Sequence, residues 1–159
     1  MEFRALTLWQ PWASFIIAGL KTWETRSWQL PEPGWVAIHA AKREPVQVPK
    51  LIAQSRRMFH NALEYMLQTT YEQLPRGKVL GVVKFGQCVP VEQVRMQIGA
   101  ADADFGDWAD GRWAWPVKNV WRLRIPIPAH GRQRLWQWTM PERDAAAFRL
   151  FYSGDECDA

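Results

Sequence analysis

A chain of 159 residues, 48% hydrophobic and 23% charged, is long enough to bury one sizeable core, which excludes a disordered chain and any need for disulfide or metal staples. Its two cysteines, Cys88 and Cys157, show no zinc spacing, and its first apolar run is broken by Gly19 and far too short for a bilayer, so a reduced, cytoplasmic protein without membrane attachment is expected. A net charge of +4 suits a polyanionic partner, and 11 tryptophans offer ring faces either for packing or for stacking on bases.

Residues 3–8 alternate as a short strand, with Phe3 and Ala5 on one face. Pro11 suits the first turn of a helix, where a missing N–H costs nothing. That helix is expected over about residues 12–18, with Trp12, Phe15 and Ile16 inward and Gly19 as its stop. Ser14 lies off this stripe and is free for a ligand. Residues 21–28 read as a second strand in which Glu24 and Arg26 share a face opposite Lys21. Neither face is purely apolar, so one of them lines a cleft or pairs ions.

Residues 35–40 form a buried strand whose His39 is either structural or site-facing. From 49 to 69, Leu51, Ile52, Met58, Phe59, Leu63, Met66 and Leu67 recur at helical spacing, which predicts one long helix. Lys42, Arg43, Lys50, Arg56 and Arg57 face only Glu44 in the same stretch, as either a solvated face or part of a phosphate footprint. Residues 78–89 are the clearest strand, with Gly81 and Gly86 marking a bulge or a close backbone approach.

Asp102, Asp104, Asp107 and Asp110 match no cation-binding loop and read as an exposed acidic loop. Strands are expected over 113–116 and 119–127, then a basic turn around Gly131 and a last strand over 135–138. A closing helix over 141–152 begins with Thr139 and Glu142 as a capping box. This leaves one domain over 1–152 and an acidic, disordered tail over 153–159. Five to seven short strands with two or three helices give an α+β fold around a small curled sheet or barrel.

The sequence has no glycine-rich phosphate loop, nucleophile elbow or metal-binding histidine pair, and His39, His60 and His130 are scattered; no metal and no cofactor are expected. Lys21, Thr22, Glu24 and Arg26 carry what chemistry remains. In recognition, Lys and Arg hold phosphate while Glu24 meets a base edge. In hydrolysis, Lys21 activates a hydroxyl or water and Glu24 carries protons. The bland alternative is an exposed Glu24–Arg26 ion pair worth ~0–1 kcal/mol.

LTLWQPWASFIIAGLKTWETRSW, residues 6–28, resembles the opening signature of the ASCH domain family, relatives of the PUA RNA-binding fold. GWVAIHAAK, VLGVVKF and WAWPVKNVWRLRIPIPAHGRQRLWQW extend the resemblance over roughly residues 4–139. It implies a PUA-like small β-barrel of five to seven strands flanked by two or three helices, with a cleft beside the first helix. Some family members are attached to transcriptional coactivators. The partner it implies is RNA or single-stranded nucleic acid, with DNA or a modified nucleoside as alternatives, bound by a monomer. Carried onto this chain, the cleft residues are Trp9, Gln10, Pro11, Trp12, Ser14, Lys21, Glu24 and Arg26, bordered by His130, Arg132 and Arg134. Basic residues would hold phosphate, tryptophans would stack bases, and Gln10 and Glu24 would hydrogen-bond base edges. A hydrolytic branch resembles amidohydrolases that deacetylate acetylated cytidine, using a lysine, a threonine three residues on and a later acid. Lys21 matches; Glu24 stands at the threonine position and the later acid falls near Lys84. Ribonuclease activity is neither required nor excluded by the motif.

Overall fold

The computed structural model describes residues 1–54 and 56–155. Strand β1 (Glu2–Leu8) feeds two core layers at once: Phe3 and Ala5 enter one, Leu6 and Leu8 the other, as a two-residue period requires. Strand β3 (Gly34–Ala40) divides Ala37 from Val36 and Ile38 in the same way, and β4 (Lys78–Phe85) divides Val82 from Val83. Strands apolar on both faces need cover on both. Helix α1 (Trp12–Ile17) supplies one cover through Ala13, Ile16 and Ile17, and α6 (Glu142–Asp155) the other through Ala145 and Phe148.

The remaining strands are β2 (Trp23–Arg26), β5 (Val89–Pro90), β6 (Trp113–Pro128) and β7 (Leu135–Thr139). The seven-stranded sheet runs β2-β6-β4-β3-β1-β7, with β5 added against β6. Only β1 and β3 are parallel. The α+β class and the strand number are as expected. The barrel is not closed among the described residues, because β2 pairs only with β6 and β7 only with β1, leaving both as edges.

Several boundaries differ from expectation for identifiable reasons. The two strands expected over 113–127 are one strand of 16 residues, absorbed by register shifts against β4. One shift falls between Val79 and Gly81, where a side chain on Gly81 would strike the Trp121 carbonyl oxygen. The single long helix is α2 (Gln47–Gln54), α3 (Arg56–Asn61) and a π-helical turn, Ala62–Met66. The wider turn rotates the apolar stripe, so Leu63 and Leu67 pack inward while Met66 is exposed. Arg56 and Arg57, as side chains, lie outside the described residues.

The acidic segment folds into α4 (Val91–Val94) and α5 (Ala100–Phe105), so six α-helices are described rather than two or three. Phe105 anchors α5 against Phe15 and Phe59. The expected capping box does not form: Thr139 ends β7, Glu142 pairs with Arg149, and the Pro141 carbonyl accepts from Asp144 and Ala145. Helix α6 continues to Asp155, three residues into the expected tail; residues 156–159 lie outside the described residues.

Candidate nucleic-acid interface

The turn from β1 into α1 is fixed by Gln10, which is fully buried. Its Nε2 donates to the Pro75 carbonyl at 2.7 Å, and its Oε1 accepts from the Ser14 N–H at 3.1 Å. Both ends of the amide are therefore spent on the fold, which corrects the expectation that Gln10 meets a base edge. Trp9 beside it keeps 47% of its surface exposed, whereas Trp12 is half-buried, edge-on to Phe59.

After α1, Gly19 turns the chain at φ +74° and Asp102 catches it. The Asp102 carboxylate, on α5, accepts from Thr22 N (2.8 Å), Thr22 Oγ1 (2.5 Å) and Trp23 N (3.1 Å). Asp102 is thus a buried tie rather than part of an exposed acidic loop. The tie holds Lys21 outside β2, so strand alternation does not govern it and its side chain reaches the Glu24 face. Lys21, 2% exposed, donates to the Trp23 carbonyl and, at 2.6 Å, to Glu24 Oε2. Arg26 Nε lies 2.9 Å from Glu24 Oε1 without a hydrogen-bond alignment. Burial pushes the Glu24 carboxyl up, but Lys21 and Arg26, with Arg112 behind them, outweigh it and hold the group below its usual 4.5. The bland alternative of an exposed ion pair does not hold: Glu24 is a buried, anionic carboxylate between two cations.

Opposite this cluster runs the 129–134 loop. It leaves β6 at Pro128 and enters β7 at Leu135, past the ends of β4, β3 and β1 that lie between them. Ala129 donates to the Gly77 carbonyl, and His39 Nε2 donates to the Ala129 carbonyl at 3.1 Å. Gly131 lies so close to the His39 ring and Thr7 Oγ1 that no side chain fits there. His39, 1% exposed, is therefore the structural support of the loop. Burial holds its pKa below the ordinary 6.5, against the Ala129 hydrogen bond and with help from His130. The loop carries Arg132 and Arg134 outward, with the Arg134 guanidinium 6.0 Å from the Trp28 ring centre.

Between loop and cluster lies a cleft of about 1080 Å³. Of the residues expected from sequence, it brings together Trp9, Trp12, Lys21, Glu24, Arg26, Arg132 and Arg134. Gln10, Ser14 and His130 do not line it. Sequence reasoning missed Thr25, Arg112 and Gln133 on its walls and Asp102 behind it, while Lys50, one of the basic residues read as a solvated face or a phosphate footprint, also lines it. Arg112 donates to the Thr25 carbonyl at 3.1 Å and sits 3.3 Å from Asp107. No cluster of three or more His, Cys, Asp or Glu able to hold a metal occurs among the described residues.

The ASCH domain family model matches residues 6–126. The chain belongs to the ASCH domain family. This ASCH domain is 29% identical over 134 residues to activating signal cointegrator 1 of Homo sapiens, and 28% identical to that of Mus musculus. Each match covers 83% of this chain but only 22% of the relative, so the chain spans a minor part of these relatives' length. The crystal structure of an ASCH protein from Zymomonas mobilis superimposes with a TM-score of 0.51 at 17% identity, over 92% of this chain and 94% of that one. A point mutant of the same protein gives 0.50 at 16% identity, over 92% and 96%. These likenesses show the fold, an α+β PUA-like domain. No helix among the described residues is long and apolar enough to cross a membrane.

Proposed function

We propose that this ASCH domain binds single-stranded RNA in the cleft between the Lys21–Glu24–Arg26 cluster and the 129–134 loop. The observation that carries the reading is the lining itself: exposed Trp9, with Arg26, Arg132, Arg134 and Lys50, around one open groove. Two cations around one carboxylate leave the cluster with a net positive charge, so it attracts an anion rather than a metal. Arg132 and Arg134 form no ion pair among the described residues and are exposed, as phosphate contacts require. Trp9 offers a face for one base, a contact worth ~1–3 kcal/mol. Glu24, held anionic, can only accept, so a base would meet it with an amino or imino N–H. Fluorescence anisotropy of labelled single-stranded RNA across a salt series tests this. Affinity should fall steeply with salt, and Arg132→Ala/Arg134→Ala should reduce the log–log slope by about 1.4, at ~0.7 per single-strand phosphate contact. Equal affinity and slope in both proteins would reject the site.

A second reading, hydrolysis of an acylated nucleoside, is favoured by one observation: a buried, hydrogen-bonded lysine–carboxylate pair at the cleft wall. Against it, Lys84 at the position of the later acid lies near the Tyr152 ring at 5.9 Å, on the α6-covered face, and does not line the cleft. Deacylated product detected by mass spectrometry and lost in Lys21→Ala would favour this reading over binding alone.

A further inference from the structure

The described cations divide by partner. Arg95, Arg112, Arg143 and Arg149 are each neutralised by a nearby carboxylate, whereas Lys42, Arg43 and Lys78 form no ion pair among the described residues. The acid closest to them in sequence, Glu44, is withdrawn: its Oε2 accepts from the Tyr71 hydroxyl at 2.6 Å and its Oε1 from Arg76 Nε at 3.1 Å. Burial and the Glu44 bond push the Tyr71 hydroxyl up to about 12, so it stays a donor and the latch stays closed at neutral pH.

The same backbone network that seats the basic loop places these cations beside it. Gly77 donates to the Ala40 carbonyl at 2.8 Å and accepts from Ala129 at 3.1 Å. The Lys42 side chain lies along Gly77, its Cβ about 3.5 Å from where a side chain there would begin. Lys78 stands between Ala40 and Pro128 in the sheet. Lys42 and Lys78 are thus one backbone hydrogen bond away from the segment that carries Arg132 on the cleft wall.

We infer that a single-stranded polyanion leaves the cleft at Arg132 and continues over Lys42 and Lys78, a second surface that takes the phosphodiester backbone. This rests on the cleft being the nucleic-acid site. Cations that meet phosphate add affinity and length dependence rather than sequence preference. Sequestering Glu44 is what keeps the surface cationic.

The test compares labelled oligouridylates of about 4 and about 12 nucleotides, lengths at the short and long ends of typical single-strand sites. Binding is measured across salt with the whole chain and with Lys42→Ala/Lys78→Ala, after thermal melting has verified the fold; Lys42→Ala alone serves if the double variant melts early. The short oligonucleotide, filling only the cleft, should bind both proteins equally. The long one should lose about 1.4 from its salt slope in the double variant, for two contacts at ~0.7 each. Equal slopes with the long oligonucleotide would overturn the second surface while leaving the cleft intact, as would equal weakening of both lengths. Failure of the wild type to bind either length would overturn the cleft reading and this one with it.

Discussion

Replacing Lys21 with methionine removes a buried charge at nearly constant side-chain length. The protein loses the hydrogen bond to the Trp23 carbonyl and the 2.6 Å contact to Glu24, which is itself 6% exposed. Removing one partner of a buried pair costs ~3–5 kcal/mol, because the other charge is left uncompensated. Here Arg26 remains 2.9 Å from the carboxylate and Glu24 can take up a proton, so the expected loss is about 2–3 kcal/mol. At ~2–4 °C per kcal/mol for a chain of this size, the melting temperature should fall by about 5–10 °C at pH 7. Lys21→Met/Glu24→Gln, which removes the stranded charge, should recover part of that loss, with a coupling energy of about 1–3 kcal/mol. Urea unfolding and thermal melting of the wild type, both single variants and the double variant close the cycle. A shift below about 1 °C for Lys21→Met, or simple additivity in the double variant, would refute the claim that the pair is buried and coupled.

Three further outcomes are expected. Gly131→Ala would bring its Cβ to 2.6 Å from His39 Nδ1 and 2.9 Å from Thr7 Oγ1, so the loop must shift and the RNA salt slope should approach that of Arg132→Ala/Arg134→Ala; an unchanged slope would contradict the support role of His39. Acid should destabilise the fold in two stages, followed by urea midpoints against pH. Both His39 and Glu24 titrate below their ordinary values, so the stability each contributes is complete above pH 6.5 and 4.5 respectively and is lost as pH falls through the lower folded value. Greater stability at pH 5 than at pH 7 would contradict the His39 assignment, and no further loss below pH 4.5 would contradict that of Glu24. Asp102→Ala strips three hydrogen bonds to a carboxylate from the start of β2 and should cost about 2–3 kcal/mol by urea unfolding, where no change would sink its role as the tie.

The elements legible in the sequence were those whose pattern is local. Alternation over β1, the apolar and β-branched runs of β3 and β4, the Gly19 stop and the close approach at Gly81 follow from local composition and from glycine's missing side chain. The cleft residues of the opening stretch came from the family resemblance, and of them Trp9, Trp12, Lys21, Glu24 and Arg26 line the groove. What could not be read depended on contacts distant in sequence. Asp102 reaches back 80 residues to Thr22, which moves Lys21 onto the face of Glu24 and turns an acidic loop into a buried tie. Gln10 looked free because nothing local shows that Pro75 and Ser14 take both ends of its amide. The π-turn was equally hidden, since one extra residue in a turn leaves helical spacing intact on either side and changes only which of Met66 and Leu67 is inside. Barrel closure failed as an expectation because strand count alone does not say whether the edge strands meet.

The central claim is that the cleft between Trp9 and the 129–134 loop holds single-stranded RNA. The most direct measurement is the salt dependence of RNA affinity for the wild type beside Arg132→Ala/Arg134→Ala and Trp9→Ala. The cleft predicts a loss of slope of about 1.4 in the arginine variant. It predicts a salt-independent loss of ~1–3 kcal/mol of affinity in Trp9→Ala, the signature of one stacked base. Wild-type affinity and slope retained by both variants would contradict it.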